Sequence, residues 1–286
     1  MRIADLYAKN EPVFSFEFFP PKTEKGFRSL YQTIATLRSL RPGFVSVTMG
    51  AGGSTREKTV DLVIEIEKEL GITAMTHLPC VGFERSDVAQ ILDTLARERL
   101  QNVLALRGDS PRDAPDFVPA NDGFEHASHI IEFIRSRWNL CIGAAAFPEV
   151  HPEAPDAKTD LRYLAEKVRT GADFLVTQFF FDNGAYFDFV DRTKAAGIAV
   201  PIVAGVMPIT SAAGVKRMAS FGGGELPPEL LLALEDCDDD AATLELGIDW
   251  ATQQCRELLD RGAPGIHFYT LNRSPATRRI YENLFA

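Results

Sequence analysis

The stretch FVSVTMGAGGSTREKTVDLVIEIEKELGITAMTHL, residues 44–78, contains one full repeat of the pattern that decides the fold. It opens on a strand-length aromatic and β-branched run, Phe44–Thr48, and closes on a second, Thr73–Leu78. Between them, in Thr59–Leu70, the side chains of Val60, Val63, Ile64, Ile66 and Leu70 approximate one helical face. Glu65, Glu67, Lys68 and Glu69 lie largely off it. A strand, a helix and a second strand in this order make a crossover unit with parallel strands. Outward from this unit the alternation continues, with strands predicted over Val13–Phe19, Asn102–Leu106, Cys141–Ala146, Phe174–Gln178, Val200–Val206 and Gly265–Phe268. Amphipathic segments follow at Lys25–Leu40, Ser86–Glu98, Gly123–Trp138, Thr159–Thr170, Asn183–Ala196, Thr210–Ser220 and Ala241–Leu259, and a last helix follows Ser274. Ser86 and Thr159 stand where N-caps belong, and Gly171 and Gly197 follow helix ends.

Eight strands, each followed by a helix, in about 250 residues is the arithmetic of an α/β (β/α)8 TIM barrel. A doubly wound open sheet is the competing architecture. No composition shift or Gly/Ser-rich linker divides residues 1–286, so a single domain is expected. Ser110–Asp122 and Gly222–Asp240 read as loops or short helices inserted into it, and the acidic run Glu235–Asp240 as a solvated helix start.

The 286 residues carry 30 Lys and Arg against 40 Asp and Glu, a net charge of −10. That balance disfavours nucleic acid or an anionic membrane as the main partner, since both need concentrated positive charge. It leaves room for a local basic pocket. The longest apolar runs are strand-length, and the first residues build no signal-peptide core, so a cytoplasmic protein is expected. Cys80, Cys141, Cys237 and Cys255 form no CxxC pair and fit buried thiols in a reducing compartment.

In a barrel, the chemistry sits at the C-terminal strand ends. Those ends carry Glu17, Thr48, His77, Arg107 with Asp109, Glu149 with His151, Gln178, and Tyr269 with Arg273. Polar groups on nearly every strand end of one rim make a ligand site. Glu17, inside FSFEFFPP, has apolar and aromatic chain neighbours, and burial among them would raise its pKa and suit it to general-acid work. Pairing with an Arg or Lys inside the barrel is the open alternative. Arg107-Gly108-Asp109 turns directly out of a strand, where a glycine lets backbone approach a flat or phosphorylated ligand. The alternative is a tight turn held by an Arg–Asp pair. The Gly50–Thr55 turn could cradle a phosphate, although no Lys follows it as in a P-loop. No G-x-G-x-x-G opens the first crossover unit, which disfavours a Rossmann site. His77 and His151 lack metal-ligand spacing, so no metal is expected.

These motifs together resemble the catalytic domain of the 5,10-methylenetetrahydrofolate reductases over nearly the whole chain. The matching segments are Phe14–Pro21, Ser46–Gly50, Thr76–Pro79, Ala105–Asp109, Ala144–Ala154, Thr177–Asp182 and His267–Arg273. The resemblance implies a barrel with non-covalent FAD. A hydride passes from NADH or NADPH to the flavin, then to the methylene carbon of the folate, in ping-pong order. It implies Glu17 as the acid that helps open the folate's five-membered ring and Asp109 as the carboxylate beside flavin and pterin. Substrate contacts fall on Glu17, Gln178, Tyr269 and Arg273. Cofactor contacts fall on Thr48, His77, Arg107, Gly108, Asp109, Ala145, Phe147, His151, Asp160 and Lys167, with His151 and Lys167 placed to serve the FAD phosphates.

Phe147 stands where the family commonly has Tyr, and Ala212 where it usually has a stacking aromatic; Phe180 or Phe181 is the expected substitute. The resemblance is to short bacterial members, without the C-terminal regulatory domain that binds S-adenosylmethionine in eukaryotic ones. The sequence leaves open NADH against NADPH and association into a homo-oligomer. The competing functional readings are a folate- or flavin-binding barrel subunit inactive without a partner, and a metal-dependent barrel hydrolase or aldolase.

Overall fold

The eight strands pair in chain order and the last returns to the first, closing the sheet. In the computed structural model the elements are α1 (Ala4–Tyr7), β1 (Val13–Phe18), α2 (Glu24–Arg38), β2 (Phe44–Val47), α3 (Arg56–Glu69), β3 (Ala74–Pro79), α4 (Arg85–Arg97) and β4 (Asn102–Leu106). They continue with α5 (Ala127–Arg137), β5 (Cys141–Ala146), α6 (Ala157–Thr170), β6 (Phe174–Thr177), α7 (Asn183–Ala195) and β7 (Ile202–Val206). Last come α8 (Ala212–Gly222), α9 (Pro228–Glu235), α10 (Asp240–Asp260), β8 (Gly265–Tyr269) and α11 (Pro275–Leu284). The structure describes residues 1–9, 11–50, 55–108, 120–222 and 224–286. The doubly wound alternative fails on the pairing of β1 with β8, in register from Val13 opposite Gly265 to Glu17 opposite Tyr269.

Because successive strand residues face opposite ways, each strand serves two cores. Phe14, Phe16 and Phe18 face the helices with Val45, Val47, Ile142, Ala144, Ile266 and Phe268. The other parity faces the barrel axis, where Val13, Phe44, Met75, Leu104, Cys141, Phe174 and Val203 pack with Ile3 and Leu6 of the α1 region. Each large side chain buried in these cores contributes about 1.5–3 kcal/mol. Higher in the barrel the axis turns polar. His267 is fully buried, its Nδ1 is 2.7 Å from Ser15 Oγ and its Nε2 is 3.3 Å from Ser46 Oγ.

Several boundaries move for local reasons. The N-cap of α4 is Glu84 rather than Ser86, and its N–H donates to Asp87 Oδ2. The N-cap of α6 is Asp156, whose carboxylate accepts the Thr159 N–H. β7 starts after Pro201, which lacks an N–H and contributes only its carbonyl, to Leu175 N. Gly171 and Gly197 do close α6 and α7 with φ of +130° and +78°. The insertion 222–240 contains α9, and the acidic run supplies Asp239 as the N-cap of α10, which accepts the Ala242 N–H. Most of 110–122 lies outside the described residues. Among the described residues no helix is long and apolar enough to cross a membrane.

Candidate active site

The C-terminal strand ends surround a cleft of about 630 Å³, within the 300–1,000 Å³ range of small-molecule sites. Its floor carries Glu17, which is not surrounded by its chain neighbours. Phe16 and Phe18 point outward to the helices, and the carboxylate points up the barrel axis with its side chain 17% exposed. Among the described residues its close basic neighbours are histidines, not the Arg or Lys the sequence left open: Oε2 is 3.4 Å from His77 Nε2 and 3.6 Å from His267 Nε2. Burial pushes the His77 imidazole down to about 4, with Glu17 pulling the other way and His267 adding to the drop. His77 is therefore neutral near pH 7. Its Nε2 is buried without a hydrogen-bond partner, the contact with Glu17 being misaligned for one.

The walls from β4, β5 and α6 hold Arg107, Gly108, Ala145, Phe147, His151, Asp160 and Lys167, and Thr48 lines the cleft beside β2. Arg107 Nη2 donates to Glu153 Oε1 at 2.6 Å, while its Nε is buried and unpartnered. Gly108 has φ +80°, and a Cβ there would lie 2.6 Å from Pro79 Cβ, so both conformation and packing require glycine. His151 accepts the Glu153 N–H on Nδ1, which leaves Nε2 to carry the proton of the neutral ring; its own N–H donates to Asp160 Oδ2. Lys167 Nζ donates to Ala145 O at 2.6 Å, and burial lowers its ammonium to about 8, opposed by Asp160. Arg107 and Lys167 share the lining with Glu17, Glu125, Glu153, Asp160 and Glu166. Asp109 and most of the Gly50–Thr55 turn lie outside the described residues.

Gln178, Phe179 and Tyr269 line the cleft from β6 and β8. Tyr269 O–H donates to Thr177 O at 2.7 Å, and burial, with Glu17 nearby, raises the phenol. Gly205 gives that ring its space, since a Cβ there would lie 2.7 Å from Tyr269 Cε2 and 2.3 Å from Thr177 O. Arg273 is exposed and does not line the cleft, and Glu149 turns away to accept the Glu225 N–H. Phe180 and Phe181 do not substitute for an aromatic at Ala212. Phe180 is fully buried and stacked on Tyr186, and Phe181 packs in the α8–α9 cluster; of the three consecutive phenylalanines, Phe179 lines the cleft.

Several residues of the site escape sequence reasoning. His267, fully buried in the barrel rather than lining the cleft, shares strand parity with Tyr269 in Gly265-Ile266-His267-Phe268-Tyr269, a signal that would have placed it inward. Glu125, His126, Ser128, Tyr163 and Glu166, from the start of α5 and from α6, extend the cleft outward, with His126 and Tyr163 stacked at 6.5 Å. Met218 and Leu271 close it from α8 and from the loop after β8.

A closed parallel barrel with a large cleft on its C-terminal rim, acid and histidine on the floor and the unpartnered Arg107 Nε on the wall, defines a small-molecule (β/α)8 enzyme scaffold. The chain belongs to the methylenetetrahydrofolate reductase family, whose model, described as "Methylenetetrahydrofolate reductase", matches residues 2–285. It is 38% identical over 295 residues to the Arabidopsis thaliana protein "Methylenetetrahydrofolate reductase (NADH) 1", covering 99% of this chain and 50% of that one. It is 36% identical over 272 residues to "5,10-methylenetetrahydrofolate reductase" of Escherichia coli, covering 94% and 90%. The chain thus spans about half the length of the plant relatives and nearly all of the bacterial one. A solved Clostridium thermocellum protein, titled as binding two copies of 5-methyl-5,6,7,8-tetrahydrofolic acid, shares the fold with a TM-score of 0.65 at 17% identity, over 99% of this chain and 97% of that one.

Proposed function

We propose that this chain reduces 5,10-methylenetetrahydrofolate to 5-methyltetrahydrofolate with electrons from NADH or NADPH, using non-covalent FAD, in the cytoplasm and as a single barrel unit. The observation that carries the reading is the cleft floor: a carboxyl held between His77 and His267, below Gln178 and Tyr269, in a chain of this family. The cleft fits a flavin dinucleotide on three counts. Its lining runs from Tyr269 on β8 to Tyr163 on α6, Arg107 Nε and His77 Nε2 are buried without partners, and the Gly108 backbone stands where no side chain intervenes. When bound, FAD supplies a two-electron relay at one site, so that nicotinamide and folate use the same face in turn.

The residues of the chain do the rest. Thr48, His77, Arg107, Gly108, Ala145, Phe147, His151, Asp160 and Lys167 hold and orient the cofactor, and Asp109 is assigned to the same turn. Gln178 and Tyr269 orient the folate, with Phe179 giving it an apolar wall. Glu17 delivers the proton to the nitrogen that leaves as the folate ring opens, and a neutral His77 keeps a cation away from that carboxyl. The deep floor excludes water from the iminium that results. A purified protein that is yellow, bleached by NADH and recoloured by methylenetetrahydrofolate is the expected result. A colourless protein that FAD cannot reconstitute would overturn the flavoenzyme reading. In Glu17→Gln, bleaching should persist and recolouring slow by about 10²–10⁴-fold; equal loss of both would contradict the role given to Glu17.

A further inference from the structure

Resting on that reading of Glu17, we propose that Asn272, with Thr270, is a positioning residue that sets where the Glu17 carboxyl sits. Glu17 lies one residue from the end of β1, and the chain continues Phe19-Pro20-Pro21, whose prolines have no N–H to extend the sheet. The regular pairing of β1 with β8 ends at Glu17 opposite Tyr269. Beyond it, side chains take over the ladder. The Asn272 amide pairs with the Phe19 peptide as a neighbouring strand would, accepting from Phe19 N on Oδ1 at 2.9 Å and donating from Nδ2 to Phe19 O at 2.7 Å. Thr270 Oγ1 donates to Glu17 O at 2.6 Å and accepts the Asn272 N–H at 3.2 Å. On the other side β2 holds the same strand end through Thr48 N to Phe18 O at 2.8 Å.

This clamp needs an unusual backbone. Leu271 and Asn272 are consecutive left-handed residues, φ +50° and +57°, a conformation asparagine tolerates and leucine rarely adopts. Loop strain of this kind persists where the surroundings over-determine it, and it clusters at working sites. Here its effect is to bring the amide onto Phe19 while Leu271 lines the cleft. Glu17 is thereby held from both neighbouring strands at 3.4 Å from His77 and 3.6 Å from His267.

The test is rapid-reaction kinetics on the FAD-loaded enzyme, with ring ¹⁵N spectra of His77 and His267 in the cofactor-free protein. Asn272→Asp keeps the acceptor for Phe19 N and loses the donor to Phe19 O. Reoxidation by methylenetetrahydrofolate should slow by about 10- to 100-fold, the scale of an ångström-sized misplacement, while reduction by NADH stays within about twofold. The ring signals should shift as they do in Glu17→Gln. Thr270→Val should act in the same direction and Thr270→Ser should restore the wild-type values, so the pair carries the test if Asn272→Asp fails to fold. Equal slowing of both half-reactions, or unchanged reoxidation with unchanged ring signals, overturns the positioning role. If Glu17→Gln itself leaves reoxidation intact, the acid role falls, and the ring signals still decide whether the clamp sets Glu17.

Discussion

Replacing His77 by Gln should remove a specific part of the protein's acid sensitivity. His77 is buried, and its imidazole titrates near 4 in the fold against 6.5 in an unfolded chain. Between those values the unfolded chain binds the proton and the folded one does not, so stability rises with pH across that window and falls as pH drops through it. By linkage the loss relative to neutral pH is about 2 kcal/mol at pH 5 and about 3 kcal/mol at pH 4, an order-of-magnitude figure. Urea unfolding of flavin-free wild type and His77→Gln, at intervals from pH 7.5 to pH 4, reads the share of His77 and its contacts, because titrating groups remote from it cancel in the difference. The two stability curves should converge toward acid, the wild type losing more. Curves that stay parallel to within about 0.5 kcal/mol, the spread expected of independent sites, would show that His77 is not held neutral by burial.

Other substitutions probe the rest of the cleft. Gly108→Ala places a methyl 2.6 Å from Pro79 Cβ at φ +80° and should cost about 1–3 kcal/mol of stability in urea titration, with weaker FAD binding by fluorescence. Tyr269→Phe leaves Thr177 O without its 2.7 Å donor and should cost about 1–3 kcal/mol, read from the same titrations. Gly205→Ala drives a methyl against Tyr269 and Thr177 O; it should raise KM for methylenetetrahydrofolate in steady-state assays more than KM for NADH.

The eight strands and the helices between them were legible in the sequence because both periods are local, two for strands and 3.6 for helices; the single turn of α1 is too short to carry a period and was not. Rim residues were legible for the same reason, since Glu17, Thr48, His77, Arg107, Gln178 and Tyr269 stand at or just past strand ends and line the cleft. Reading Glu17 by its chain neighbours misled, because Phe16 and Phe18 point to the opposite side of the sheet. The outer wall from α5 and α6 was not legible. His126 and Tyr163 lie far apart in sequence, and nothing local to either says that their helices meet.

By itself the sequence determined an eight-unit α/β alternation, a rim of polar strand ends and, through its motifs, the family. It could do so because parity, capping and spacing are encoded within a few residues. Only the tertiary structure decided which groups share the floor. Closure brings β8 beside β1, so that His267, Ser15 and Glu17, some 250 positions apart in the chain, come within contact. It also decided that Phe179 rather than Phe180 faces the cleft, and that the Asn272 amide completes the end of β1. Those outcomes depend on strand register and barrel closure, which are set by packing across the whole ring rather than by any one segment.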